Sequence, residues 1–471
     1  MNRLYLLIVL SLCIHSSLGA EFSEYFEDKT LRVDYFHTGK IDCEIFSLDQ
    51  LYEQGKWAGS KINLIDTLNL GQYLVQVVVP GSNKLLYSRG FSSIYGEWET
   101  TAEAQKTYRT FHESVLVPFP QKPIRLIIAK RNEKDLFTPI WDDCQIDPDA
   151  HFINRADVRK DVKVIKELIN GPCEKKLDLL IIGDGFTEQE QNEFKKIQKE
   201  FVQLLFRTAP FNRRKNDFNV RAIAVRSRDS GISEPRKNQW KNNACGCSFN
   251  TFDLPRYVLS FNNKDLRDIA AAAPYDFLAI IFNSDRYGGG GIYNLLATSF
   301  AGSQRKGDEW MAEYVFTHEL GHLIGGLADE YYSSSVAYVD FYPPNVEPWE
   351  PNITALLDKT RLKWQNLVDK NTPIPTPWDK AKYDSIAADR SYLAKGGADY
   401  AHKQQFKQQE LADFLHTQKY WGRVGAFEGA GYRSQGLYRP ALDCRMFSRS
   451  MAEFDPVCQA AIERVIDFYS R

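Results

Sequence analysis

Between Glu313 and Leu323 the chain reads EYVFTHELGHL, with two imidazoles, His318 and His322, four positions apart. On a helix, side chains at i and i+4 share a face, so both rings can reach one ion with their nitrogens. Val315, Phe316, Leu320, Leu323 and Ile324 supply the apolar positions of a helix lying on a core. Glu319 then projects beside the histidines at the height of a metal-bound water. This is the H-E-x-x-H pattern, in which two histidines bind zinc and the glutamate is the general base. Catalytic zinc takes three protein ligands and keeps its fourth position for water. Gly325-Gly326 breaks the helix directly after His322, and Asp329-Glu330 then offers two carboxylates where the third ligand is needed. The expected chemistry is hydrolysis of a polypeptide substrate by zinc-activated water, with one Zn2+ per chain and Glu319 taking the proton. The competing class is a secreted binding or matrix protein with a structural zinc site and no turnover, which a fourth, closing ligand would favour.

The rest of the chain must position that helix. Its 471 residues, 43% of them hydrophobic, suffice for two domains with cores of their own. A formal charge of −2 gives no field for nucleic acid. Arg3, the apolar run Leu4 to Ile14 and the small residues Ser16, Ser17, Gly19 and Ala20 read as a signal peptide over residues 1–20. That run is too short for a membrane span, and no later stretch qualifies. A secreted, extracellular protein is expected.

Residues 21–150 read as an N-terminal β-sandwich, with alternating strands at Thr30–Phe36, Tyr73–Val79, Leu85–Arg89 and Ile124–Ala129. Its His37 and His112 read as structural. A helical segment near Val158–Leu168 leads to the boundary Gly171-Pro172, after which residues 173–471 form an α/β unit. Its signals are the apolar strand Leu177–Ile182, the tight turn Gly183-Asp184-Gly185, and a helix from Thr187 with Glu190 as its capping box. Further strands are expected at Asn219–Val225, Tyr275–Phe282 and, as an edge, Asn294–Phe300, after the glycine loop Gly288–Gly291. Cys13 leaves with the signal. In an oxidising compartment the preferred bridges are Cys444–Cys458 and Cys43–Cys144. Asn352-Ile353-Thr354, preceded by Pro351, reads as a glycosylation sequon on an exposed loop.

The segment from His318 to Asp329 resembles the metzincin motif H-E-x-x-H-x-x-G-x-x-H, which sometimes ends in Asp. The last position falls here on Ala328, which cannot bind metal. Taking Gly326 as the turning glycine, with one residue added, restores the glycine-plus-three spacing at Asp329. The resemblance thus implies His318, His322 and Asp329 as ligands, with Glu330 the alternative third ligand. It also implies a methionine turn beneath the metal, for which Met446 in Asp443-Cys444-Arg445-Met446 is the candidate, whereas Met311 reads as packing. Tyr331 and Tyr332 are candidate oxyanion donors. Gly183-Asp184-Gly185-Phe186-Thr187, Gly326-Leu327-Ala328-Asp329-Glu330-Tyr331 and the preceding sandwich are together similar to the igalysins, the IgA peptidase family of zinc metallopeptidases. The resemblance implies a multidomain zinc endopeptidase, an N-terminal β-sandwich followed by an α/β metzincin-like domain. It does not imply that immunoglobulin A is the substrate.

Overall fold

The computed structural model describes residues 21–157, 162–302, 309–334, 336–339, 341–343, 345–389 and 400–471. The expected signal segment lies outside them. In the first region the long strand β1 (Phe26–Lys40) pairs antiparallel with β2 (Cys43–Gln54) on one side and with β5 (Arg109–Pro120) on the other. The short β8 (Ile153–Asn154) completes this sheet along β2. A second four-stranded sheet runs β4 (Leu85–Phe91), β3 (Tyr73–Val78), β6 (Ile124–Arg131), β7 (Phe137–Ile146). Alternating residues of both sheets, among them Val33, Val117, Val75 and Leu126, meet in one core.

The second region is built on a six-stranded sheet whose order is β15-β16-β14-β10-β11-β9. Its members are β9 (Val164–Ile169), β10 (Leu177–Asp184), β11 (Phe218–Ile223), β14 (Phe277–Phe282), β15 (Gly289–Ile292) and β16 (Leu296–Phe300). The tiny β12 (Cys247–Ser248) and β13 (Leu259–Ser260) form a separate ribbon. The four central strands are parallel and both edges antiparallel. All residues of β10, β11 and β14 are buried, as parallel strands covered on both faces require. Helix Gln191–Leu205 packs on the sheet after the Thr187–Glu190 capping box. Helix Glu309–Gly325 lies against β15 and β16, with the C-terminal helix Pro456–Ser470 alongside it.

Two expectations change. The segment read as helical contains β9, because pairing with β11 outweighs the helical spacing of its apolar residues; the sheet therefore starts ahead of residue 173. The expected edge strand is internal, and the glycine loop supplies the edge as β15. Gly291 is required there, since a Cβ would stand 2.7 Å from the Glu319 carbonyl oxygen and 2.9 Å from His322 Cβ.

The two regions are joined by a buried charge. Arg32 on β1 is fully buried, with Nη2 2.9 Å from Asp34 and 2.8 Å from Asp268 on helix Asn263–Ala270. Its guanidinium also stacks over Tyr52. Truncating one partner of a buried pair leaves the other charge uncompensated, so Arg32→Ala is expected to cost about 3–5 kcal/mol. Urea unfolding measures this, and a cost below about 1 kcal/mol, the level of an exposed pair, would show that the site is solvated.

Candidate metal centre

His318 and His322 leave the same face of helix Glu309–Gly325, with their Nε2 atoms 3.3 Å apart. The helix ends because Gly326 takes a left-handed φ of +60°, which turns the chain back beneath the rings. Residue 327 then accepts a hydrogen bond from His322 Nδ1 at 2.6 Å through its carbonyl oxygen. His318 Nδ1 donates in the same way to the carbonyl of Arg445, at 3.0 Å. Both imidazoles are thus held with the proton on Nδ1 and a lone pair on Nε2.

The same turn delivers Asp329. Its Oδ1 lies 2.9 Å from His318 Nε2 and 3.4 Å from His322 Nε2, while Oδ2 accepts from the Tyr432 hydroxyl at 2.5 Å. Oδ1 is buried and faces the two Nε2 atoms without a hydrogen bond of good geometry. Three lone-pair donors therefore converge on one point. A tetrahedral ion with bonds of about 2.0–2.1 Å separates its ligands by about 3.3 Å, so the residues fit a small divalent cation. Where no cation sits, a proton takes its place: burial opposes charge on His322, yet Asp329 outweighs it and lifts the imidazole to about 9. Burial also pushes Glu319 above the usual carboxylate range.

Glu330 points the other way. Its Oε1 accepts from Asn352 Nδ2 at 3.0 Å and lies 3.2 Å from Cys458 Sγ, so Asp329 and not Glu330 faces the imidazoles. Met446 is fully buried beneath the helix, where a Cβ on Gly321 would stand 2.9 Å from its Sδ. Its carbonyl accepts the Glu330 N–H at 2.8 Å. Met311 packs in the main core. The Tyr331 ring lies parallel to His318, with centroids 6.4 Å apart, whereas the Tyr332 hydroxyl donates to Asp384, away from the cleft.

The centre opens into a cleft with about 110 Å³ of enclosed space, walled by both regions. Gln72, Ser92 and Glu97 reach it from the first region, and Tyr338, Trp349 and Tyr432 from the segment after the helix. The sequence carried no signal for Glu97 or Tyr432. Glu97 accepts from the hydroxyls of Tyr257 at 2.5 Å and Tyr338 at 3.0 Å, contacts made only by folding. Tyr432 sits at the left-handed turn of the hairpin β17 (Phe427–Ala430) and β18 (Arg433–Arg439).

Several other expectations are corrected. Asn352 is not on an exposed loop: it is fully buried, its Oδ1 accepting from Ala328 N at 2.7 Å and its Nδ2 donating to Ala328 O at 2.9 Å. A glycan has no room there. Cys43, Cys144, Cys444 and Cys458 form no disulfide, and the Cys444 and Cys458 sulfurs stand 3.8 Å apart. His37 is tied to Glu113 and Glu44, and His112 to Asp49. His416 packs against Trp421 at a tilt, and the side chain of His402 lies outside the described residues.

Comparison with known families adds the decisive observation. Residues 165–466 match the family described as IgA Peptidase M64, and residues 21–142 match Peptidase M64 N-terminus. The chain belongs to the IgA peptidase family. It is a peptidase acting on polypeptides, of a family whose members use a metal. The first match begins on β9, the antiparallel edge of the six-stranded sheet. A comparison with the curated proteins gives no match.

Burial raises Glu97 to about 7. The folded protein thus holds a proton that the unfolded chain releases near pH 4.5, and stability falls as pH rises between the two values. Above pH 7 the full penalty, about 3 kcal/mol, is present. In the metal-free protein Glu97→Gln is expected to unfold later than wild type at pH 8 and to lose that advantage at pH 5, read from thermal midpoints. An advantage that does not vary with pH would refute the assignment.

Proposed function

We propose that this protein is a secreted, extracellular zinc endopeptidase with one catalytic Zn2+ held by His318, His322 and Asp329, and with Glu319 as general base. The observation that carries the reading is the convergence of two imidazole lone pairs and an unpartnered carboxylate oxygen at mutual distances of 2.9–3.4 Å beside an open cleft. The turn through Gly326 to an acidic ligand, with Met446 beneath the helix, supports a metzincin-like arrangement. The basic start and apolar run of residues 3–14 support secretion.

A bound zinc ion supplies Lewis-acid chemistry, making water a nucleophile at neutral pH and stabilising charge on the scissile carbonyl. The chain does the rest. The Arg445 and Leu327 carbonyls aim the two Nε2 lone pairs, and Tyr432 leaves Asp329 one free oxygen. Glu319 accepts the proton of the attacking water and passes it to the leaving amine nitrogen, tasks suited to a carboxylate whose burial has raised its pKa. Tyr331 stands on the cleft wall near Arg256 and His318, placed to donate to the developing oxyanion. The open cleft beside three donors favours turnover over a closed structural ion.

Elemental analysis beside an assay on an unfolded protein substrate tests this reading. Glu319→Gln is expected to keep its zinc and lose about 10²–10⁴-fold in kcat. Asp329→Ala is expected to lose the ion and all cleavage. Tyr432→Phe should weaken zinc binding about 10–100-fold, as removing a group that orients a ligand does. Undiminished cleavage after chelation, or Asp329→Ala with full zinc, would overturn the assignment.

A further inference from the structure

Behind the first centre, Glu330, Cys444, Asp455 and Cys458 bring their donor atoms within 4.8 Å of one another, and all four residues are buried. Hydrogen bonding leaves this cluster incomplete. Asp455 spends Oδ1 on the N–H groups of Val457 and Cys458 that begin the C-terminal helix, and its Oδ2 is buried without a partner. Glu330 spends Oε1 on the Asn352 amide and the Cys458 thiol, and its Oε2 is likewise buried without a partner. Cys444 Sγ accepts backbone N–H groups from Met446 at 3.4 Å and Asp455 at 3.3 Å. The two sulfurs are 3.8 Å apart. That is the edge of a tetrahedron with metal–sulfur bonds of about 2.3 Å.

We propose that Glu330, Cys444, Asp455 and Cys458 form a second, structural metal site that binds zinc. Two thiolates select zinc over magnesium or calcium, and four protein ligands close the coordination shell to water. The ion would tie together the two segments that orient the first centre. Glu330 follows Asp329 directly, its N–H donates to the Met446 carbonyl, and the neighbouring Arg445 carbonyl holds His318. This site rests on its own donors and not on the catalytic assignment.

The test uses the full-length protein, purified under reducing conditions and loaded with Zn2+ or Co2+. Wild type is expected to hold two zinc ions, and His318→Ala/His322→Ala to hold one. Cobalt in wild type should show the intense near-ultraviolet sulfur-to-metal charge-transfer band that a His/His/Asp site cannot produce. Cys444→Ser/Cys458→Ser should lose the band and keep one zinc. Should that variant fail to fold, Asp455→Asn, which preserves the helix cap, should weaken cobalt binding in the same band. Absence of the band in wild type, or one zinc in wild type and none in the double-histidine variant, would overturn the proposal. So would a Cys444–Cys458 disulfide in a non-reduced digest of the native protein. One zinc in both wild type and the double-histidine variant would support the second site while removing the first.

Discussion

Three electron-rich atoms, His318 Nε2, His322 Nε2 and Asp329 Oδ1, are held between 2.9 and 3.4 Å apart. With neither a proton nor a cation among them they would repel, and burial would make that repulsion costly. They stay because the opposite side of each group is tied: the Nδ1 atoms to the Arg445 and Leu327 carbonyls, the second Asp329 oxygen to Tyr432. Those anchors come from three separated stretches of chain. The helix end at Gly326, the 427–439 hairpin and the 444–446 turn are needed together, and none of them makes the site alone.

The sheet explains why the cleft is where it is. The site helix lies against β15 and β16 at one of the two antiparallel edges of the six-stranded sheet, and glycines on β15 let backbone and helix approach closely. The first region closes the cleft from the other side, with Glu97 hydrogen-bonded to Tyr257 and Tyr338 of the second. The Arg32–Asp268 ion pair holds the two regions in that relation. The N-terminal sheets are therefore part of the cleft wall.

Local pattern was legible wherever an element answers to its own residues. The strands Tyr73–Val78 and Ile124–Arg131, the Thr187–Glu190 capping box and the helix bearing His318 and His322 all follow from alternation, capping or helical spacing. Where a neighbour overrules local preference, the pattern misled. Residues 164–169 become a strand because β11 offers an edge, and the glycines at 289–291 become a strand because β16 does. The sequon at Asn352 reads as exposed until residues 328 and 330 fold over its amide.

The sequence by itself determined which groups are on offer: His-Glu-x-x-His on a helix, followed by a glycine break and a pair of acids, supplies two imidazoles and three carboxylates within thirteen residues. Only the tertiary structure decided which acid faces the imidazoles. Asp329 and Glu330 are adjacent and chemically alike, but their side chains leave the chain in different directions, one to the imidazoles and the other to Asn352. The Met446 carbonyl and the Tyr432 hydroxyl fix which side faces the histidines. Both come from more than a hundred residues downstream, where no local pattern could announce them.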